Sequence, residues 1–224
     1  AYKIKKPLRL SFLDYSTLER RRALCEEELR LNSRHAPGLY MGVSVITGPV
    51  EAPRVGGEGP PVEYAVRMRQ FRPGEELPAL LAAGDVGTGA LAEFGAAVAR
   101  FHAGAVIATA GSPFGEPDTV HRVTLDNLDE LRALPEAAPW HEQLSQLVTR
   151  LDALQAALRP LMRSRRENGW VRECHGDLHC GNVVRCEGSL TPFDGIEFDP
   201  ALRNIDVAND IAFLTMDLAE RGRP

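Results

Sequence analysis

The chain has 224 residues, 44% hydrophobic and 25% charged, with a formal net charge of −5. This is the balance of a globular chain long enough for one large domain or two smaller lobes, and its acidity argues against a nucleic-acid surface spread over the whole molecule. No stretch approaches 18 uninterrupted apolar residues and residues 1–6 lack the layout of a signal peptide, so a cytoplasmic protein with neither membrane nor nucleic-acid partner is expected.

Residues 1–10 alternate as a strand, with Ala1, Lys3 and Lys5 on one face and Tyr2 and Ile4 on the other. Ser16-Thr17-Leu18-Glu19 is a capping-box pattern that predicts a helix to about His35, where Pro37-Gly38 ends it. Residues 1–35 hold nine Lys/Arg against five Asp/Glu, or +4, which leaves −9 for the remainder. At 100° per residue, Leu18, Cys25 and Leu29 cluster in one direction and Leu24 and Leu31 in another, with Glu28 between them. A carboxylate inside an apolar arc is costly without a cation, and Lys3 on the preceding strand is the expected partner; Lys5 shares its face and is the rival.

Residues 39–47 and 62–71 read as two strands of a hairpin with a loose Gly/Pro-rich tip at 49–61. From about residue 77 the pattern turns helical, with an apolar stripe at Leu91, Phe94, Val98, Phe101 and Ala105, and residues 109–119 form a looser segment. Trp140, Leu144, Leu147, Leu151, Leu154, Leu158 and Leu161 alternate spacings of four and three, which predicts a long helix with one narrow buried seam that Pro160 limits or kinks. Val183-Val184 and residues 190–193 then form a small hairpin around Glu187-Gly188-Ser189, and residues 205–218 close the chain as a helix.

The chemistry is concentrated in His175-Gly176-Asp177-Leu178-His179-Cys180-Gly181-Asn182 and in Phe193-Asp194-Gly195-Ile196-Glu197. An Asp and an Asn five residues apart, with a second Asp twelve residues on at the end of an apolar run, is the spacing that places a base and two magnesium ligands around a triphosphate. Asp177 is the candidate base, and Asn182 and Asp194 are hard oxygen donors at the two ends of one hairpin. Two readings stand for Asp206 and Asp210 in the last helix: acids favoured by the helix dipole, or Asp210 bracing the catalytic loop through its backbone N–H groups.

Three other patterns are weaker. Gly87-Thr88-Gly89-Ala90-Leu91-Ala92 fits a dinucleotide fingerprint but follows no good strand, and Gly56-Gly57-Glu58-Gly59 lacks the Lys-Ser/Thr of a phosphate cradle. Cys174, His175, Asp177, His179 and Cys180 crowd into seven residues without the paired spacings of a tetrahedral zinc site. No CxxC pair occurs among Cys25, Cys174, Cys180 and Cys186, and all four are expected to be reduced.

HGDLHCGN followed by FDGIEF, with DIAFL in the last helix, resembles the aminoglycoside phosphotransferase-like branch of the protein-kinase-like fold. Within it, residues 2–7, 12–17 and 25–32 are similar to uncharacterised bacterial kinase-like proteins often fused to a P-loop ATPase domain. The resemblance implies an α+β, two-lobe fold, with residues 1–71 a partial antiparallel sheet lobe and residues 72–224 a mainly helical lobe carrying the catalytic loop. It implies ATP and magnesium as cofactors, Asp177 as base, Asn182 and Asp194 as metal ligands, Lys3 as the phosphate lysine and Glu28 as its partner. Met68, Arg69, Gln70 and Phe71 would be the linker that meets adenine through its backbone. The expected activity is transfer of the γ-phosphate to a hydroxyl of a small molecule; a non-catalytic nucleotide-binding or regulatory module is the alternative. Gly195 stands where protein kinases carry Phe, and the chain begins at the lysine strand, so the two preceding strands and the nucleotide-covering loop are expected to be absent, with further helices usual beyond its end.

Overall fold

In the computed structural model, residues 1–10, 12–109 and 111–223 are described. The fold is α+β and kinase-like, and it opens on a small antiparallel sheet. β1 (Tyr2–Ile4), β2 (Tyr40–Thr47), β3 (Arg54–Val55) and β4 (Pro61–Met68) pair in the order β1-β4-β2-β3. The first strand is shorter than the alternation predicts, because Pro7 has no N–H for a ladder and nothing continues the pairing beyond Ile4↔Ala65. Tyr2 and Ile4 are half exposed while Lys5 is buried, so the polar face of β1 is its inner face. The tip of the hairpin is more ordered than its composition implies, since β3 pairs with Ile46 and Thr47 of β2.

α1 (Leu18–Asn32) starts at Thr17, whose hydroxyl accepts the N–H of Arg20, a cap worth about 1 kcal/mol. It ends at Asn32, three residues before the expected His35. Its buried residues are Arg21, Cys25, Glu28, Leu31 and Asn32; Arg21, Cys25, Glu28 and Asn32 follow one another at steps of four, three and four, and polar groups dominate the stripe. Arg21 is held by both carboxylate oxygens of Glu63 on β4 and by the carbonyl of Tyr15, and Glu28 is fully buried.

α2 (Leu77–Ala83), α3 (Thr88–Gly104), α4 (Pro117–Ala133), α5 (His141–Glu167), α6 (Pro200–Arg203) and α7 (Val207–Glu220) supply the helical part. β5 (Val171–Glu173) pairs with β8 (Asn204–Asp206), and β6 (Val183–Cys186) pairs with β7 (Ser189–Pro192). The last helix therefore starts two residues later than expected, because residues 204–206 are drawn into a strand. The β6–β7 turn places both Glu187 and Gly188 at positive φ, the geometry of a type I′ turn whose twist matches that of the strands.

The described chain divides into two compact units. The first comprises Ala1–Ala105, Cys174–Arg203 and Ala208–Pro224; the second comprises Val106–Glu173 and Asn204–Val207. The boundary expected after residue 71 falls inside the first unit. That unit holds two apolar cores, one under the sheet around Cys25, Leu39, Tyr64, Val66 and Val184, the other around Leu77, Leu80, Phe94, Val98, Leu178 and Leu214. In the second unit α5 continues through Pro160 to Glu167, so the proline does not end it. The seven-residue seam of α5 is only partly buried: Leu144 is covered, whereas Trp140, Leu147, Leu154, Leu158 and Leu161 are exposed. No helix among the described residues is long and apolar enough to cross a membrane, and all four thiols are free.

Candidate active site

Every residue singled out for chemistry lies in the first unit. Lys3 leaves the inner face of β1 and its Nζ bonds Glu28 Oε1 at 2.9 Å and Asp194 Oδ1, joining residues 191 positions apart in sequence. Burial works to depress the Lys3 ammonium, but the attraction of Glu28 and Asp194 outweighs it and holds the group above its ordinary value, so it is a cation at any working pH. Its side chain remains 39% exposed and that of Asp194 40%, which leaves both reachable from solvent.

Lys5 takes the other oxygen of Glu28, at 2.7 Å from Oε2, and also bonds Glu197 Oε1. It is 2% exposed. The two lysines that the sequence leaves as rivals thus differ in access: Lys3 is reachable from solvent and Lys5 is not.

Asp194 adopts φ = 64°, a left-handed conformation that Asp tolerates better than most residues, and the strain is held by its surroundings. Its N–H donates to the Tyr40 hydroxyl at 3.0 Å, and the next N–H, of Gly195, donates to Asn32 Oδ1 at 2.8 Å. The Asn32 amide in turn donates to the carbonyl of Glu28, one helical turn back. A Cβ at Gly195 would lie 3.2 Å from the carbonyl oxygen of His175 and 3.4 Å from Asn32 Oδ1, so a larger residue there would crowd this contact.

The Asp177 loop is fixed from below. Asp210 Oδ2 accepts the N–H of His175 at 2.8 Å and Oδ1 accepts that of Gly176 at 2.9 Å, while His102 Nε2 lies 3.0 Å from Oδ2. Burial raises the Asp210 carboxyl, but the bonds from His102 and from the two backbone groups prevail and hold it below its usual range. Of the two readings of Asp206 and Asp210, bracing is what Asp210 does; Asp206 pairs with Arg165 inside the second unit. Gly176 sits at φ = 86° with Leu202 O 2.7 Å from where a Cβ would stand, so only glycine fits.

His175 is buried, and desolvation depresses its imidazolium, so the ring is neutral. Its Nε2 lies 2.9 Å from the Phe193 carbonyl, which can only accept; Nε2 therefore carries the proton and Nδ1 accepts the N–H of Asp177 at 3.3 Å. One side chain thus spans the two halves of the motif. The amide of Asn182 donates to Asp177 Oδ2 at 3.0 Å and to the Asp177 carbonyl at 2.9 Å, which turns its oxygen the other way. His179 Nδ1 accepts from Gly181 N, and its Nε2 lies 3.6 Å from Asp177 Oδ2.

The linker candidates sit beside this hairpin. Met68 closes β4, Arg69 N–H donates to Leu39 O at 2.8 Å, Gln70 is exposed, and the Phe71 ring packs on Phe193 with centroids 5.4 Å apart. The crowded Cys/His stretch makes no zinc shell: among the described residues the ligand atoms within 4.8 Å of one another belong to His102, Cys174 and Asp210, and the Asp210 carboxylate is already occupied by N–H groups.

Sequence reasoning missed Glu197, Tyr15, Asn32 and Tyr40. Asn32 had a usable signal, since it lies one turn after Glu28 on the same helix face. The Tyr15 hydroxyl donates to Glu197 Oε1, and no local pattern announces a pair separated by 182 positions.

A lysine–glutamate pair, a braced Asp-x4-Asn loop and an Asp on an adjoining hairpin converge here, which is the arrangement of a phosphotransferase site. Residues 45–193, more than half of the chain, match the profile described as the phosphotransferase enzyme family, and the chain belongs to that family. It is 32% identical over 223 residues to uncharacterised proteins of Mycobacterium bovis and Mycobacterium tuberculosis, covering 100% of this chain and 43% of theirs. The chain therefore spans less than half the length of these curated relatives. No solved structure matches it significantly.

Proposed function

We propose that the protein is an ATP-dependent phosphotransferase that moves the γ-phosphate to a hydroxyl of a small molecule. The observation that carries this reading is the meeting of Lys3, Glu28 and Asp194 at one point. Lys3 lies outside the segment matched by the family profile, so its place there is an independent argument for the assignment.

The donor set suits magnesium: Asp194 offers a half-exposed carboxylate and Asn182 an amide oxygen, both hard ligands. Bound there, the metal would neutralise charge on the phosphates during transfer. Lys3 would bind phosphate oxygens, with Glu28 fixing the direction of its ammonium. Asp177 would accept the proton of the attacking hydroxyl at its carboxylate, oriented by the Asn182 amide and by the His175 ring under its own N–H. Residues 68–71 would supply backbone contacts to adenine beside Phe193. A cytoplasmic setting and a fused or partner P-loop ATPase domain belong to the same reading.

Calorimetric binding of magnesium-ATP together with ADP release, for the wild type and Asp177→Asn, tests it. Binding in both with turnover only in the wild type is expected. Equal turnover would remove Asp177 from its role, and binding without turnover in either would establish the non-catalytic module instead.

A further inference from the structure

Lys5 is a buried cation without access to any ligand, and its partners are placed with purpose. Its ammonium bonds Glu28 Oε2 at 2.7 Å and Glu197 Oε1, and it lies 5.0 Å from the centre of the Tyr15 ring, whose hydroxyl closes the cluster on the same Glu197 oxygen. Glu28 is fully buried and Glu197 is 5% exposed. Each oxygen of Glu28 is thus committed to a different lysine, Oε1 to Lys3 and Oε2 to Lys5.

Glu197 is also the end of the strained segment that begins at Asp194. That segment is tied at each successive residue: Asp194 N to Tyr40, Gly195 N to Asn32, Ile196 N to the His175 carbonyl, and the Glu197 carbonyl to Arg203 Nη1 at 3.0 Å. The same ammonium therefore holds helix α1, through Glu28, and the Asp194 segment, through Glu197. In enzymes of this chemistry the lysine–glutamate pair can be made and broken by moving the helix that carries the glutamate. Here such a movement would also pull Glu28 Oε2 from Lys5, leaving a buried carboxylate without that cation and a buried ammonium with Glu197 alone, and breaking a buried pair is costly.

We propose that Lys5 is a positioning residue that locks Glu28 and the Asp194–Glu197 segment together, so that Lys3 is oriented toward the nucleotide phosphates permanently, with no activating contact from outside. This rests on the nucleotide reading of the site given above.

The lock is separable from plain charge compensation by comparing Lys5→Met with Lys5→Met/Glu197→Gln in the full chain. Removing Lys5 leaves the buried Glu197 carboxylate without a cation and with only the Tyr15 hydroxyl on Oε1; neutralising Glu197 relieves that cost but leaves Glu28 Oε2 without its anchor. Thermal melts and calorimetric titration with magnesium-ATP, well below each melting midpoint, read the two effects separately. In Lys5→Met both stability and affinity fall, the affinity by ~10-fold, a size usual for losing a group that orients a ligand-contacting residue. In the double variant the melting midpoint recovers and the ~10-fold loss of affinity persists. Affinity that stays at the wild-type value in Lys5→Met, or returns with the melting midpoint in the double variant, overturns the inference. Lys3→Met serves as the control for the parent reading: if it abolishes binding while Lys5→Met does not, only the lock fails, whereas a wild type that does not bind magnesium-ATP removes both.

Discussion

Lys3 and Lys5 stand two residues apart on the same face of one strand and share the two oxygens of one glutamate, yet one is 39% exposed and the other 2%. The same division runs through the whole site. Asp177, Asn182 and Asp194 keep part of their surface in solvent, while Glu28, Glu197, Asn32, His175 and Asp210 are buried beneath them. The lesson is a separation of labour: groups that must touch a substrate tolerate water, and groups that aim them are removed from it, where each hydrogen bond is stronger and each missing partner costs more.

This comparison can be broken from either side. The largest effect is expected at the rim, where Asp177→Asn should lower turnover by ~10²- to 10⁴-fold, the usual worth of a positioned base, with no change in melting midpoint. A coupled ADP-release assay and a thermal melt on the same sample check both halves. At the buried base the ranking reverses. Glu28→Ala leaves the buried Lys5 with Glu197 alone and Lys3 with Asp194 alone, and should cost about 3–5 kcal/mol of stability in urea unfolding. A cost below about 1 kcal/mol would mean that the cluster is not the sealed site described above.

A third test uses pH. His35 is half-buried against Phe101, with ring centroids 4.9 Å apart, and both its ring nitrogens are shielded from solvent with no hydrogen-bond partner among the described residues. Desolvation first, then the neighbouring His175 and Arg34, push its pKa down from 6.5 to about 3. The unfolded chain binds this proton below 6.5 and the folded chain does not, so the contribution of neutral His35 is present above 6.5 and is lost as the pH falls toward 3. Each pH unit in that window should cost about 1.4 kcal/mol. His35→Leu should flatten the slope by one proton's worth, read from urea midpoints across that range. The smallest effect is expected at the surface: Arg69→Ala breaks an exposed pair with Glu187 and should cost less than about 1 kcal/mol.

Much of the site was legible in the sequence because its parts are local. The Asp177–Asn182 spacing, the Asp194 turn and the helix start near Ser16–Glu19 each depend on backbone rules that act over a few residues, although the cap is Thr17 and not the Ser16 of the expected box, whose hydroxyl bonds Asp14. Glu28 was legible because a helix repeats: a carboxylate in an apolar arc demands a cation, and the nearest strand carries two. Other readings failed for a related reason. The α5 leucines repeat as a buried seam does, but periodicity reports an apolar stripe and not what covers it, and most of that stripe is exposed. The continuation of α5 through Pro160 to Glu167 shows that a long helix absorbs one missing bond where flanking turns hold.

The sequence by itself determined the main hairpin, the long helices, the Asp177–Asn182 loop and its hairpin, and the need for a lysine opposite Glu28. Which lysine stays open to solvent, which buried group answers Glu197, and that Asp210 grips the loop at His175 and Gly176 were decided only by tertiary structure. The reason is physical: hydrogen bonding and helical periodicity act along the chain and leave a trace in neighbouring residues, whereas burial is a property of the folded whole. Two lysines that alternate on one face in the sequence become an open and a sealed group only when the rest of the fold closes over one of them.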